Sequence, residues 1–409
     1  MPSARYRVGL GAAAVLVASH SIATSIDPGV AVTVVVGSPA GACPMGRMDG
    51  ARTGRSRDRL PAEPRVLWRW SMGCALDASA VAVDRRGAVV VAGSNAAEIA
   101  QLGSDGRQQW RAKTGGGVPI AGPVILADDT RLVLTGSGDA LGFDANGRAR
   151  FAANVGPPGK NTRAAPLPLD DGTVALAVGT DVVLLSADGQ VQGRYEIGES
   201  PTGALVQTAH GVAVTAENGS VYLVRPPARA RKVGTFGGDP RPGAAAPDGN
   251  TLLAVVDHKR LVRLDVRTGA SRSLRAEPSP SLDGPVALDA ARSANITTFS
   301  GDLTGLSPEG AEVRRTALAA GAPPLPAEPR VIDLSTMSES PPLITDDLGR
   351  VGFARVGGPI GVVSPEGSVV LVDQARCAFP VALAPAGRGR MVVACRDGSI
   401  VMIGEAKSP

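Results

Sequence analysis

A repeat of about 41 residues constrains the fold of this chain more than any other feature. Turns at Gly106, Gly147 and Gly189 follow one another at intervals of 41 and 42 residues, and each comes after a short apolar run. Gly269 and Gly310 repeat the interval of 41. A fixed period of this length predicts one small structural unit stacked many times, rather than two or three unrelated domains.

One copy of the unit, residues 122–151, reads as four short strands. The runs are Val124–Ala127, Arg131–Thr135, Ala140–Phe143 and Arg148–Phe151, and each break between them holds Asp, Asn or Gly. Short apolar runs separated by such turn residues predict antiparallel hairpins.

Eight units can be counted from their first strands. Six of the eight starts carry proline, which cannot donate to a strand ladder and is confined to free edges or first residues. The second strands, such as Thr173–Val178 and Thr251–Val256, are continuous apolar runs and predict burial on both faces. We therefore expect an all-β, eight-bladed β-propeller of four-stranded antiparallel blades, with the first strands facing a central channel. The starts lie near Ser79, Pro123, Pro166, Pro201, Ala244, Pro285, Pro342 and Pro380.

The two ends of the repeat array predict how the ring closes. The last unit stops after its third strand, near Ile403, whereas Val66–Ser71 is a lone strand-like run before the first unit. Trp68 and Trp70 in that run resemble Trp110 in a fourth strand. We expect this N-terminal strand to pair with the last blade and so close the ring.

The first 43 residues have the composition of an export signal or a lipoprotein-like leader. Arg5 and Arg7 precede the apolar run Val8–Ala18, as in a secretory signal. Cys43 follows a second apolar patch and small residues, which makes it a lipidation candidate; the alternative is a spare or disulfide-bonded cysteine.

The remaining boundaries follow from composition. Residues 44–64 are polar and rich in Arg, and we interpret them as a solvated tether. The propeller is expected over residues 65–405, with a Pro-rich insertion loop at 321–338 and a tail at 406–409.

Three sequence segments resemble the pyrroloquinoline-quinone-type repeat β-propellers. They are LGSDGRQQW (Leu102–Trp110), FDANGRARF (Phe143–Phe151) and the leader PMGRMDGARTGRS (Pro44–Ser56). That family includes quinoprotein dehydrogenases, the propeller lipoprotein of the outer-membrane barrel-assembly machinery and many exported propellers. The resemblance implies the propeller fold and either an enzyme or a binding module. The enzymes of the family use bound calcium, an Asp base and commonly two adjacent cysteines, and this chain has no Cys-Cys pair.

Residues with catalytic or ligating side chains fall at turns. Asp128–Asp129, Asp170–Asp171 and Asp346–Asp347 recur between first and second strands, and we interpret them as turn-forming residues. His210 and His258 also lie in hairpin positions, without the spacing of a metal site. The sequence therefore predicts no catalytic, cofactor-binding or metal-binding residues.

Cysteine spacing suggests a cross-strand bridge. Cys377 and Cys395 flank one hairpin, so a disulfide between them is one interpretation and two buried thiols are the other. Cys74 is a rival partner, because ring closure would bring it beside the last unit. In an oxidising compartment such a bridge would contribute about 3 kcal/mol.

Charge and composition limit the function. The net charge of +4 is mild and aromatic residues make up 3%, which argues against nucleic acid or sugar as partner. We expect an exported, monomeric, non-catalytic scaffold, periplasmic or outer-membrane-associated, that binds envelope proteins without a cofactor and meets the membrane only through its N-terminus. The alternatives are a quinone-dependent dehydrogenase and a component of outer-membrane barrel assembly.

Overall fold

The computed structural model describes residues 43, 45, 49–77, 80–115, 117–157, 164–203, 205–240, 244–277, 281–318, 343–372, 375–377 and 379–405. The leader before Cys43, the insertion loop at 321–338 and the tail at 406–409 lie outside the described residues. Those assignments therefore stay predictions. Within the described part, no helix is long and apolar enough to cross a membrane.

Eight antiparallel sheets follow one another along the chain, and each is one blade. In blades 1 to 7 the strands lie in chain order from the inner to the outer edge of the sheet. Blade 1 comprises β2 (Val81–Val83), β3 (Val89–Ala92), β4 (Glu98–Leu102) and β5 (Gln108–Lys113), and blade 2 comprises β6 (Pro119–Ile125), β7 (Arg131–Thr135), β8 (Asp139–Phe143) and β9 (Ala149–Asn154). Blade 3 comprises β10 (Leu167–Pro168), β11 (Val174–Val178), β12 (Asp181–Leu185) and β13 (Val191–Glu196), and blade 4 comprises β14 (Val206–Thr208), β15 (Gly211–Thr215), β16 (Ser220–Val224) and β17 (Arg231–Thr235).

The second half repeats this plan. Blade 5 comprises β18 (Thr251–Val256), β19 (Arg260–Asp265) and β20 (Ser271–Ala276), and an isolated bridge between Ala245 and Leu253 takes the place of its inner strand. Blade 6 comprises β21 (Leu282–Leu288), β22 (Ala294–Thr298), β23 (Asp302–Leu306) and β24 (Glu312–Ala317), and blade 7 comprises β25 (Ile344–Thr345), β26 (Val351–Ala354), β27 (Ile360–Val363) and β28 (Val369–Leu371). Blade 8 comprises β29 (Pro380–Pro385), β30 (Arg390–Cys395), β31 (Ser399–Glu405) and the N-terminal β1 (Pro64–Ser71). The all-β, eight-bladed prediction is confirmed.

Burial changes from the second to the fourth strand of a blade. Every residue of β7, β11 and β18 is buried, because neighbouring blades cover both faces. The outer strands β5, β9 and β13 instead alternate exposed and half-buried residues, as expected where one face meets water. The hydrophobic core therefore lies between blades, which explains the continuous apolar runs of the second strands.

Strand β1 closes the ring as the sequence predicts. It pairs antiparallel with β31 from Pro64 opposite Glu405 to Ser71 opposite Ser399. Its Trp68 also reaches blade 1, where the indole Nε1 donates to the Ser104 carbonyl at 3.1 Å. The first and last blades are thus joined by a ladder and by an aromatic side chain.

The same aromatic contact joins blades 1 and 2. Trp110 Nε1 donates to the Ala145 carbonyl at 2.9 Å. The indole lies so close to Gly147, which has a φ of 79°, that a Cβ there would come within 2.6 Å of the ring. Glycine is required at this turn by both the backbone conformation and the close approach.

The described residues between Met45 and Pro64 do not form a solvated tether, so the prediction for this segment is wrong there. Residues 49–60, which we call the strap, contain the fully or almost fully buried Arg52, Thr53 and Leu60. The strap runs along the inner edges of blades 4 to 7 and accepts one backbone hydrogen bond from each. These bonds are Gln207 N to Gly50 O (2.6 Å), Ala246 N to Ala51 O (2.8 Å), Leu288 N to Thr53 O (2.7 Å) and Thr345 N to Gly54 O (2.9 Å). Inner edges that the proline pattern predicted to be free are therefore paired at these four blades.

Arg52 anchors the strap through three further hydrogen bonds. Its Nε donates to the Leu205 carbonyl at 3.0 Å, and its Nη2 donates to the carbonyls of Ala165 (3.0 Å) and Pro166 (2.9 Å). Burial lowers the pKa of Arg52 to about 10, and the nearby Asp49 carboxylate opposes that shift. The guanidinium thus ties the strap to backbone of blades 3 and 4.

Cys43, the lipidation candidate, lies inside the fold. It forms a backbone bridge with Val83 of β2 in both directions, and only 1% of its surface is exposed. Its Sγ lies 3.3 Å from the Met45 carbonyl, to which it donates. A lipid chain on this sulfur does not fit that position, so lipidation would require Cys43 to leave blade 1.

Cys377 and Cys395 are joined by a disulfide with a Cα–Cα distance of 5.7 Å. Cys74, the rival partner, is a free and half-buried thiol. The sequence left open whether Cys377 and Cys395 pair with each other or one of them pairs with Cys74. The structure has the bridge across the last hairpin.

Candidate functional site

The three aspartate pairs form turns, as their positions predict. Oδ1 of Asp128 accepts from the backbone N–H of Thr130 at 3.0 Å, and Oδ1 of Asp346 accepts from Leu348 at 2.9 Å. The second carboxylate oxygens serve neighbouring segments; for example, Leu60 N of the strap donates to Asp346 Oδ2 at 2.8 Å. These carboxylate oxygens hold backbone in the turns and in the strap.

The two histidines of the described chain also act between blades. His258 Nδ1 lies 3.0 Å from the Leu282 carbonyl of blade 6, and its ring packs on Phe299. His210 Nε2 lies 2.9 Å from Asn250 Oδ1 of blade 5. Among the described residues no three His, Cys, Asp or Glu side chains are grouped so that they could hold a metal ion.

One turn departs from the repeat. In blades 1 to 3 and 5 to 7, the turn between third and fourth strands contains a carboxylate residue and a glycine with positive φ. Blade 4 instead has the sequence Arg225-Pro-Pro-Ala-Arg-Ala-Arg231, with neither. Nothing in the strand ladder of β16 and β17 requires this basic sequence, because the other blades form the same hairpin without it.

The exceptional turn borders a cavity of about 270 Å³ between blades 4 and 5. The slightly exposed Leu223 and the exposed Ala228 supply apolar surface, and His210 and the buried Val266 border the cavity. Basic side chains complete the lining: Arg225, Arg229 and Arg231 from the blade 4 turn and Arg267 from the blade 5 turn.

The four arginines of this basic cavity form no ion pairs within the described chain. None of the four guanidinium groups takes part in an ion pair or side-chain hydrogen bond with a described residue, and all four arginines are exposed. The nearest acid in sequence, Asp265, accepts the backbone N–H groups of Thr268 (2.8 Å) and Arg267 (2.9 Å). The bond from Thr268 is the main cause that lowers the pKa of Asp265. That carboxylate holds its own turn and interacts electrostatically with Arg267.

The cavity wall is fixed by contacts between the two blades. His210 and Asn250 join their side chains, and the Ala209 N–H donates to the Gly249 carbonyl at 2.9 Å. The turn itself is closed by Ala228 N donating to the Arg225 carbonyl at 2.9 Å. The arrangement is a small apolar hollow with a rigid wall and a cationic rim, suited to an anionic group attached to apolar atoms.

Sequence reasoning did not find this site. The 41-residue series of glycine turns lacks a member between Gly189 and Gly269, and the four arginines come from two different blades. The available signal was local: no Asp or Glu occurs from residue 218 to residue 238. The bridging of His210 to the next blade could not be read from its sequence.

Comparison with known proteins places the fold in a family. The sequence profile described as "Outer membrane protein assembly factor BamB" matches residues 60–273, just over half of the chain. The chain belongs to this family. No curated protein matches the sequence. The basic cavity lies within the matched region, whereas most of the strap precedes it.

Solved structures resemble this family member in fold at low sequence identity. BamB from Moraxella catarrhalis superposes with a TM-score of 0.60 at 14% identity, covering 85% of this chain and 99% of its own. The computationally designed Ika8 protein gives 0.61 at 14% identity, covering 85% of this chain and all of its own. A catalytically inactive H270A virginiamycin B lyase from Staphylococcus aureus, solved with quinupristin, gives 0.50 at 11% identity, over 84% of this chain and 99% of its own. At these identities the likeness shows the fold alone.

Proposed function

We propose that this protein is an exported, non-catalytic scaffold that binds other proteins in the cell envelope. The family to which it belongs is named for an outer-membrane assembly factor, which supports a role in protein interaction at that place. The leader composition of residues 1–43 supports export. A role in outer-membrane barrel assembly is the most specific form of this proposal.

The observation that carries the proposal is the strap. Its backbone pairs with the inner edges of blades 4 to 7, and Arg52 fills space against blades 3 and 4. The strap therefore covers the inner edges of these blades, which are then not exposed to a partner. Contacts with partners then fall on the turns and outer strands, as is usual for loops carried on a rigid fold.

The alternative, a quinone-dependent dehydrogenase, has less support. The donor set that would hold calcium beside a quinone has no counterpart among the described residues. The paired aspartates are the candidates for a catalytic base. Asp346, for example, instead accepts hydrogen bonds from backbone N–H groups of its own turn and of the strap. The described residues do not fit that cofactor.

Envelope fractionation followed by in-cell crosslinking tests the scaffold proposal. We expect the protein in the envelope fraction, crosslinked to one or a few other proteins at discrete positions. Recovery in the cytoplasmic fraction, or no crosslinked partner under conditions that capture known envelope complexes, would contradict it. Calcium-dependent reduction of a dye in the presence of added quinone and alcohols or sugars would instead favour the enzyme.

A further inference from the structure

We propose that the basic cavity between blades 4 and 5 binds an acidic segment of a partner polypeptide, with an apolar side chain inserted and flanking carboxylates on the arginines. This inference rests on the scaffold function proposed above and names the chemistry of the partner. Its starting point is the departure of one turn from a pattern that six other blades keep.

The departure has a structural cost that the fold does not require. In blade 2, for example, Oδ1 of Asp144 accepts the N–H groups of Asn146 (2.8 Å) and Arg148 (2.9 Å) and so holds the turn. Arg225 occupies the corresponding place in blade 4 and cannot accept these bonds. The basic residues thus replace a stabilising arrangement, which is expected where a residue serves binding instead.

Charge identifies the ligand as an anion. Four arginines surround one hollow, as many positive charges as the net excess of the whole chain. Guanidinium groups without internal partners are free to form bidentate pairs with carboxylates. Their mutual repulsion would be relieved by an acidic ligand.

The apolar residues that line the cavity indicate that the anionic ligand also carries an apolar group. Leu223, which is 8% exposed, and the exposed Ala228 supply apolar surface to the hollow, and the fully buried Val266 also borders it. A free inorganic anion would gain nothing from this surface, whereas an apolar side chain would bury area on it at about 25 cal/mol per Å². No Phe, Tyr or Trp lines the cavity, so stacking platforms for nucleic-acid bases are absent there. An acidic polypeptide with interspersed apolar residues matches both surfaces.

The test uses the full-length protein and a fluorescent peptide of alternating glutamate and leucine, followed by anisotropy. We expect saturable binding with a Kd below about 1 mM. The Arg229→Glu/Arg231→Glu variant should weaken it at least tenfold, or about 1.4 kcal/mol. The matched control, Arg107→Glu/Arg148→Glu, makes the same change of net charge at exposed turn residues of blades 1 and 2 and should leave Kd within about twofold.

Two further probes separate the contributions. Replacing leucine by serine in the peptide should weaken binding, because the apolar floor is then unused. Polyphosphate and vesicles containing an anionic lipid should bind less tightly than the peptide. Absence of saturable peptide binding, equal loss in both charge variants, or preference for phosphate or lipid would overturn the proposal.

The result is distinguishable from failure of the scaffold function. If the Arg229→Glu/Arg231→Glu variant keeps every crosslinked envelope partner, the scaffold stands and the cavity is not its interface, which overturns the proposal. If the wild-type chain binds the peptide but captures no envelope partner, the cavity stands and the scaffold function fails.

Discussion

Replacing Arg52 by Ala tests whether the strap is part of the folded core. The substitution removes the donor from three carbonyls of buried residues, Leu205, Ala165 and Pro166. Each buried acceptor left without its partner costs about 1–3 kcal/mol. Taking the lower part of that range for each acceptor, we expect a total loss of about 3–5 kcal/mol in the free energy of unfolding, the size typical of breaking a buried charged contact. That is a large share of the 5–15 kcal/mol typical of a folded domain.

A neighbouring arginine in the same segment supplies the control. Arg55 pairs with Asp347 at 2.8 Å, but the two side chains are 26% and 46% exposed. An exposed ion pair is worth about 0–1 kcal/mol, so Arg55→Ala should change stability little. The two variants remove the same charge three residues apart, but Arg52 is buried and bonded to backbone carbonyls, whereas Arg55 is partly exposed and paired with a carboxylate.

Urea unfolding followed by tryptophan fluorescence and circular dichroism measures the difference. With a slope of about 3 kcal/mol per M, Arg52→Ala should lower the midpoint by about 1 M or more, and Arg55→Ala by less than about 0.3 M. Arg52→Met restores apolar volume and should still be strongly destabilised, since the carbonyls stay unpaired. Equal midpoints for Arg52→Ala and Arg55→Ala would refute a buried, structural strap.

Three further predictions concern closure, the disulfide and pH. Deleting Arg65–Ser71 should unfold the whole propeller cooperatively, because blade 8 loses its outer strand; a chain beginning at Cys74 that melts like the full chain would contradict this. Non-reducing peptide mapping should recover the Cys377–Cys395 bridge, whose removal should cost about 3 kcal/mol, and recovery of both thiols free would show the pairing to be wrong. The backbone N–H of Arg148 lowers the pKa of Asp144 below its usual 3.8, so its stabilisation is present above that pH and lost as pH falls through the folded value. Asp144→Ala should therefore reduce the difference in unfolding midpoint between pH 7 and pH 3, and an unchanged difference would argue against this role.

The architecture was readable from the sequence because it is a periodic property. The run Arg131–Thr135 is the second strand as predicted, and the closing strand was located by its tryptophans. Each of these features depends on neighbours within one unit or on a motif shared between units. A strand that is assigned wrongly in one unit can also be corrected from the other seven, which is not possible in a fold without repeats.

The strap could not be predicted in this way because it belongs to no repeat. Its composition is that of a solvated linker, and only the four free inner edges turn it into a buried segment. Arg52 illustrates the difficulty: an arginine in a charged run is usually exposed, yet here three backbone carbonyls from blades 3 and 4 satisfy it. Such burial depends on acceptors more than 100 residues away in sequence.

The same contrast decides how far function can be inferred. Some residues are needed to form the repeated unit; Asp144, for example, holds its turn by hydrogen bonds. The presence of such a residue gives no information about a ligand. The blade 4 turn is informative because six other turns supply the expectation that it breaks. A repeat protein thus provides its own internal reference: the residues that the fold does not require are visible as departures from the copies. In this chain the departure and the unpaired charge coincide at Arg225, Arg229 and Arg231, which is why the basic cavity, rather than the centre of the ring, is the surface to test first.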